Sequence, residues 1–235
     1  MDKGSELIEK AMIHILGEEV GFEESEAYWK MLKKESLADL NRSRKYRILN
    51  RLFELGFLLR VKTRGIFEYI PVPPNFLDLH YNIAEKFTEK LEQIYAKNYL
   101  NLFKKGNFFI ESSGAVIDGL VLFFIKNFMK ENAEIVLGGP EIASILRKKA
   151  HKNFCKIRII GIEKYFKEKG FYEKNITLFP EEIISDRRFC IIDDSILICF
   201  FKSLENVYTG YITSDKNKID FKKKEFDSIL KFFQR

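Results

Sequence analysis

The chain has 235 residues, with 40 Lys and Arg against 34 Asp and Glu, 46% hydrophobic content and 14% aromatics. That apolar fraction excludes a disordered chain, and the length fits one large or two modest domains. The longest apolar stretch, residues 115–125, is interrupted by Asp118 and falls short of the ~20 residues a membrane span requires. The opening MDKGSELIEK is charged throughout and has no apolar core of the signal-peptide type. A cytoplasmic protein with no membrane association is expected. Cys155, Cys190 and Cys199 stand singly in strand-like apolar runs, with no CxxC and no neighbouring His. They are expected to be buried and reduced, with no metal and no disulfide, and nothing calls for a cofactor.

The distribution of charge matters more than its total of +6. Residues 1–40 hold five basic and ten acidic side chains, a net −5. Residues 41–64 hold eight basic side chains against Glu54 alone, a net +7, which leaves +4 for everything that follows. Solvated faces normally mix signs, so this block is the footprint of a surface that meets a phosphate backbone. Double-stranded DNA is the expected partner.

In chain order, residues 5–16 read as a helix with Leu7, Ile8, Met12, Ile15 and Leu16 on one face. Ser25 opens a second helix, ending near Lys34, with Ala27, Tyr28, Met31 and Leu32 on its apolar side. A third helix covers about 43–55, buried through Tyr46, Leu49, Leu52 and Phe53, and Gly56 terminates it. Its other face shows Arg44, Lys45, Arg47, Asn50 and Arg51. FLLRV and IFEYIPV follow as strands, joined by a basic hairpin tip, Lys62-Thr63-Arg64-Gly65. Pro71, Pro73 and Pro74 mark an extended connector. A long amphipathic helix then runs over residues 77–105. Its narrow stripe of Ile83, Phe87, Leu91 and Ile94, with Asn98 inside it, suits a two-stranded seam and hence a homodimer; packing on its own chain is the alternative.

From Asn107 strand and helix signals alternate: a strand at 107–112, a helix at 114–130, a strand at 133–139, a helix at 140–152 and a strand at 155–161. RRFCIID, ILICFF and VYTGYIT are strands, and a last helix covers 222–233. Such alternation implies a mostly parallel sheet, with antiparallel pairs added by the later strands. The whole is therefore α+β in three modules, 1–74, 75–105 and 106–235. Ligands of open α/β sheets collect beyond parallel strand ends. Ser112, Ser113, Gly138 and Gly139 lie at such ends, and Arg187 or Arg188 supplies a cation suited to a small anionic effector.

GFEESEAYWKML followed by SRKYRILNRLFELGFLLRVKTRGIFEYIPVPP resembles the winged helix-turn-helix of archaeal TrmB-like transcription regulators. The third module, through DRRFCIIDDSILICFF, GYITSD and the last helix, is similar to that family's degenerate phospholipase D-like effector domain. The resemblance spans residues 21–235 and implies a winged-helix DNA-binding domain, a coiled-coil linker and a sensor or assembly domain. On it, Arg42 and Ser43 open the recognition helix with Arg44, Lys45, Arg47, Asn50 and Arg51 behind them, while Lys62 and Arg64 carry the wing. Only ESLADLNR separates the second helix from the recognition helix, less than the family's second helix plus turn. The family's C-terminal sugar-binding module has no counterpart in the sequence.

Phospholipase D chemistry needs a His nucleophile, a Lys to hold phosphate and an Asp to orient the imidazole. The matching positions here hold Asp186, Arg188 and Asp193, so no catalysis is expected. The leading expectation is a dimeric DNA-binding transcription regulator. A duplex-coating architectural protein and a protein-interaction module with a vestigial winged helix are the alternatives.

Overall fold

The computed structural model of the chain describes residues 3–63, 65–77, 85–103, 106–113, 117–137, 157–162, 176–179, 188–204 and 207–232. They fall into two units, residues 1–105 with 111–119 and residues 106–110 with 120–235.

In the first unit three helices, α1 (Lys3–Val20), α2 (Phe22–Leu32) and α3 (Arg42–Glu54), precede an antiparallel hairpin of β1 (Leu58–Thr63) and β2 (Ile66–Pro71). A 3-10 turn at Pro74–Phe76 and a long helix α4 (Glu85–Phe103) follow. Gly21 separates α1 from α2 at φ 106°, a conformation that side chains with a Cβ rarely adopt. α2 therefore opens at Phe22, ahead of the expected Ser25, whose hydroxyl instead donates to the Gly21 carbonyl from within the first turn. α2 closes in a Schellman motif: Glu35 N–H donates to the Lys30 carbonyl and Lys34 N–H to that of Met31. Lys34 occupies the left-handed position, φ 59°, that glycine usually takes. Residues 33–41 hold turns and no helix.

α4 packs on α2. The Asn98 amide donates to the Leu32 carbonyl at 2.9 Å, and the Tyr99 hydroxyl donates to the Met31 carbonyl. The Leu32 carbonyl at the helix end is thereby satisfied, and the Met31 carbonyl gains a second donor beside Lys34 N–H. This corrects the outward seam expected on this helix. Its buried side is Thr88, Leu91, Glu92, Tyr95, Tyr99 and Phe103, with the Tyr95 and Tyr99 rings stacked at 4.9 Å. Leu91 and Asn98 are thus engaged within their own chain, Phe87 and Ile94 are half-buried, and Ile83 lies outside the described residues.

α3 begins at an Asn41 cap, whose side chain accepts from Arg44 N–H at 2.9 Å. It ends at Gly56, φ 84°, with Phe57 N–H donating to the Leu52 carbonyl. Ile48, Leu49, Leu52 and Phe53 are buried. Ile48 takes the place expected for Tyr46, which is 51% exposed and lies beneath the Arg42 guanidinium, 5.9 Å from the ring centroid. Phe57 locks the helices to the hairpin. Its ring meets Tyr28 and Phe76 edge-on at 5.1 and 5.2 Å, and the Tyr28 hydroxyl donates to the Val72 carbonyl.

The second unit holds β3 (Phe108–Ser113), shared with the first at its end, then α5 (Ile117–Phe128), β4 (Ala133–Leu137), β5 (Ile157–Ile162) and β6 (Ile176–Phe179). β7 (Arg188–Ile192), β8 (Ile196–Leu204), β9 (Val207–Thr213) and α6 (Lys216–Phe232) complete it. The strands lie in the order β3-β9-β8-β7-β4-β5-β6. β4, β5 and β6 run parallel, but β7 is antiparallel to β4, and β8 and β9 continue antiparallel. The sheet is therefore mixed, not mostly parallel. β7, β8 and β9 are joined in sequence by short turns, which force antiparallel pairing. β6 was not anticipated, and the helix expected at 140–152 lies outside the described residues. α6 starts at Lys216, ahead of the expected Lys222, because the Asp215 carboxylate accepts from the N–H groups of Asn217 and Lys218. Ile219, Phe226 and Ile229 of α6 cover Val136, Phe189, Ile191 and Leu197. Gly210 faces Phe200 across β8 and β9, where any Cβ would run into the Cys199 carbonyl. Cys190 and Cys199 are free and buried, and burial pushes both thiols up; Cys155 lies outside the described residues.

Asp193 ties the β7–β8 turn to the segment after α5. Its carboxylate accepts from the backbone N–H groups of Lys130, Glu131 and Asn132 at 2.6, 2.8 and 2.8 Å. Burial pushes this carboxyl up, but the three N–H groups outweigh it and hold the group below the ordinary aspartate range. Its contribution to stability is present above the unfolded pKa and is lost as pH falls through the folded one. Asp193→Ala should cost the second unit roughly 2–3 kcal/mol, measured as a lower denaturation midpoint by circular dichroism. In the first unit, Gly21→Ala forces a side chain into a left-handed conformation and toward the Glu24 carboxylate. A loss of about 1–2 kcal/mol is expected, read from urea unfolding followed through Trp29, the single tryptophan of the chain.

Candidate nucleic-acid interface

Helical geometry places Ser43, Arg47, Asn50 and Glu54 farthest from the buried side of α3. Arg44 and Arg51 flank them toward α2, and Arg42 and Tyr46 flank them on the other side. All of these, and Lys45, are exposed. α3 thus presents Ser43, Arg44, Arg47, Asn50 and Arg51 together on its outward face, whereas Arg42 and Lys45, expected with them, stand on the groove side beside Tyr46 and Leu49. The hairpin adds Lys62, exposed near its tip and 5.1 Å from the Phe67 ring centroid. Thr63 pairs with Ile66 at the end of the hairpin, and Arg64 lies outside the described residues.

The surface is less positive than its sequence. Glu23, in the first turn of α2, accepts from Arg44 at 2.5 and 3.3 Å and from Arg47 at 2.7 Å. Glu24, buried beside it, lies 3.9 Å from Arg47 and 3.7 Å from Arg51. Sequence reading missed these two acids, which sit in the acidic segment ahead of the basic block. The Arg44 hydrogen bond is the main force holding the Glu23 carboxyl below the ordinary glutamate range, and the same contact raises Arg44. The contact is therefore complete at neutral pH and is lost only as pH falls through the depressed Glu23 pKa.

Asn50 is oriented from the hairpin: the Tyr69 hydroxyl donates to its side-chain oxygen at 2.7 Å, and Arg60 Nε donates to Tyr69 at 3.2 Å. Arg60 also lies 4.2 Å from the Phe53 ring centroid and bonds Glu111 at 3.3 Å. It is spent on structure. On the far side of α3 a groove of about 770 Å³ runs along Arg42, Lys45, Tyr46 and Leu49 against Phe67 and Tyr69, with Glu35 and Glu68 also lining it.

Two of the residues expected to hold an anionic effector, Ser112 and Arg188, have described side chains. Ser112 is buried, and Arg188 lies over the Tyr208 ring, 4.8 Å from its centroid. The Ser113 side chain, Gly138, Gly139, Arg187 and Asp186 lie outside the described positions. Among the described residues no group of His, Cys, Asp and Glu is arranged to hold a metal, and no helix is long and apolar enough to cross a membrane.

The chain is thus mixed α+β, with a basic, N-capped helix backed by a hairpin. No family model and no curated protein matches it. Among solved structures it is similar to TrmBL2, an archaeal chromatin protein with a novel mode of DNA binding, at 16% identity and a TM-score of 0.39, over 95% of this chain and 98% of that one.

A direct check on the Glu23 contact is a carboxyl titration by NMR. The Glu23 midpoint should lie below that of an ordinary glutamate and move back up toward it in Arg44→Ala.

Proposed function

We propose that the chain is a DNA-binding transcription regulator whose first unit acts as a winged helix, with α3 in the major groove and the β1–β2 hairpin as wing. The observation that carries this reading is the outward face of α3, where Ser43, Arg44, Arg47, Asn50 and Arg51 stand together beside a hairpin that carries Lys62 near its tip, with Arg42 and Lys45 on the adjoining groove side. No packing requirement explains so one-sided a surface. Arg47 and Asn50 occupy the outward centre and are assigned to base edges; Arg42, Arg44, Lys45, Arg51 and Lys62 are assigned to phosphates.

The second unit is assigned a sensor or assembly role without catalysis, as a degenerate phospholipase D-like domain. Asp193, at the position that would orient a nucleophilic imidazole, has its carboxylate occupied by three backbone N–H groups. A homodimer through α4 is not carried forward, since Leu91 and Asn98 are engaged inside the chain. One observation favours the architectural reading instead. Of the uncharged polar groups on the α3 face, Asn50 already gives its acceptor to Tyr69, which leaves a face weighted toward phosphate rather than base contact. Footprinting separates the two: a regulator protects one site at low concentration, whereas a coating protein protects all of the duplex together.

Arg44→Ala with Arg47→Ala leaves the buried side of α3 intact. Duplex affinity should fall at least tenfold, and the log–log salt dependence should lose about 0.9 in slope for each phosphate contact removed. Undiminished, equally salt-sensitive binding by this variant refutes the assignment of α3.

A further inference from the structure

The contact between Glu23 and the arginines of α3 has the form of the contact those arginines would make with DNA. The two Glu23 oxygens receive Nε and a terminal nitrogen of Arg44 and a terminal nitrogen of Arg47, the fork geometry by which guanidinium groups hold a phosphate. Glu23 is not a freely swinging acid. It stands in the first turn of α2, where the helix dipole favours a carboxylate, two residues beyond the break that Gly21 imposes. Glu24 extends the same contact to Arg51 from a buried position.

Resting on the DNA-binding reading, we infer that Glu23 is an intramolecular substitute for DNA phosphate that masks Arg44 and Arg47 and must be displaced before α3 engages a duplex. The pairs are half exposed, at 49% and 58% for the arginines and 43% for Glu23, so each contributes little on its own. An isolated anion gains nothing by replacing Glu23, because it exchanges one pair for another and loses the advantage of a carboxylate already in place. A duplex presents several phosphates at once and releases counterions as it binds, and so it displaces the carboxylate. Glu23 therefore sets a threshold: the surface responds to a polyanion of high charge density and ignores small phosphorylated solutes.

The experiment compares full-length wild type, Glu23→Gln and Glu26→Gln on one fluorescent blunt duplex by anisotropy at several salt concentrations. Trp29 emission and a melting curve verify the fold of each. Glu26 is the control, since it stands on the same helix and carries the same charge but pairs with Lys30 at 3.1 Å. Glu23→Gln should bind roughly three- to tenfold tighter and Glu26→Gln less than twofold tighter. Inorganic phosphate should compete with the duplex better in Glu23→Gln than in wild type after correction for ionic strength. If wild type binds and Glu23→Gln binds equally or more weakly, Glu23 positions the arginines and does not mask them; the inference fails while the DNA-binding reading stands. An equal gain in both variants means long-range charge alone and also overturns it. Absence of salt-sensitive duplex binding in all three removes the DNA-binding reading, and the mask with it.

Discussion

What the first unit can offer a partner depends on the burial of one residue, Phe57. Its N–H closes the Schellman motif of α3 on Leu52, and its carbonyl accepts from Val72 N–H where the hairpin leaves. Its ring sits edge-on between Tyr28 of α2 and Phe76 of the following turn. One residue thus joins the end of α3, both ends of the hairpin and the middle of α2. Burying a phenylalanine contributes roughly 1.5–3 kcal/mol, and each edge-to-face pair about 0.5–1.5 more. The geometry follows from this. With α2 fixed at Tyr28, its first turn must lie beside α3, and Glu23 and Glu24 must face the arginines.

That juxtaposition changes how the charge of the chain is read. The +7 of residues 41–64 and the −5 of residues 1–40 are neighbours in space as well as in sequence. Arg44, Arg47 and Arg51 lie against acids, and Arg60 is bound to Glu111. The cations of α3 with no such acid recorded beside them are Arg42 and Lys45, on the groove side. A net charge counted along the sequence therefore overstates the field that a distant duplex first meets, whereas the full arginine set becomes available only at contact. Salt dependence, which counts phosphates in the bound state, and encounter rate, which senses the resting field, then report different numbers of charges.

Much of this was legible in the sequence, and the misses have physical causes. α3 was read nearly to its ends because its apolar stripe is regular and a Gly stop is a strong local signal, and the hairpin because β-branched and aromatic residues flank a glycine turn. The end of α2 was less visible, since Lys34 takes a left-handed position that sequence rules reserve for Gly or Asn. Tyr46 was placed on the buried side of α3 because an aromatic fits an apolar stripe, whereas Ile48, one helical turn before Leu52, takes that burial. On α4 the stripe was traced through Ile83, Phe87, Leu91 and Ile94. Tyr95 and Tyr99 instead carry its burial, and Tyr99 and Asn98 cap α2. The Glu23–Arg44 pair spans 21 residues and answers to no periodicity, so it emerges only when two helices are packed.

The same limit governs the second unit, where spacing from Asp186 and Arg188 matches Asp193 to the position of an imidazole-orienting Asp. Spacing identifies which residue stands at a position, not what occupies its oxygens. Asp193 stands at φ 47° in a tight turn, and both oxygens are taken by backbone N–H groups from the segment between α5 and β4. Those hydrogen bonds stand at the junction where β7 meets β4. Losing them would loosen the antiparallel half of the sheet from its parallel half. The carboxylate is held by the fold it stabilises, and its place in the sequence pattern is accounted for by that structural task alone.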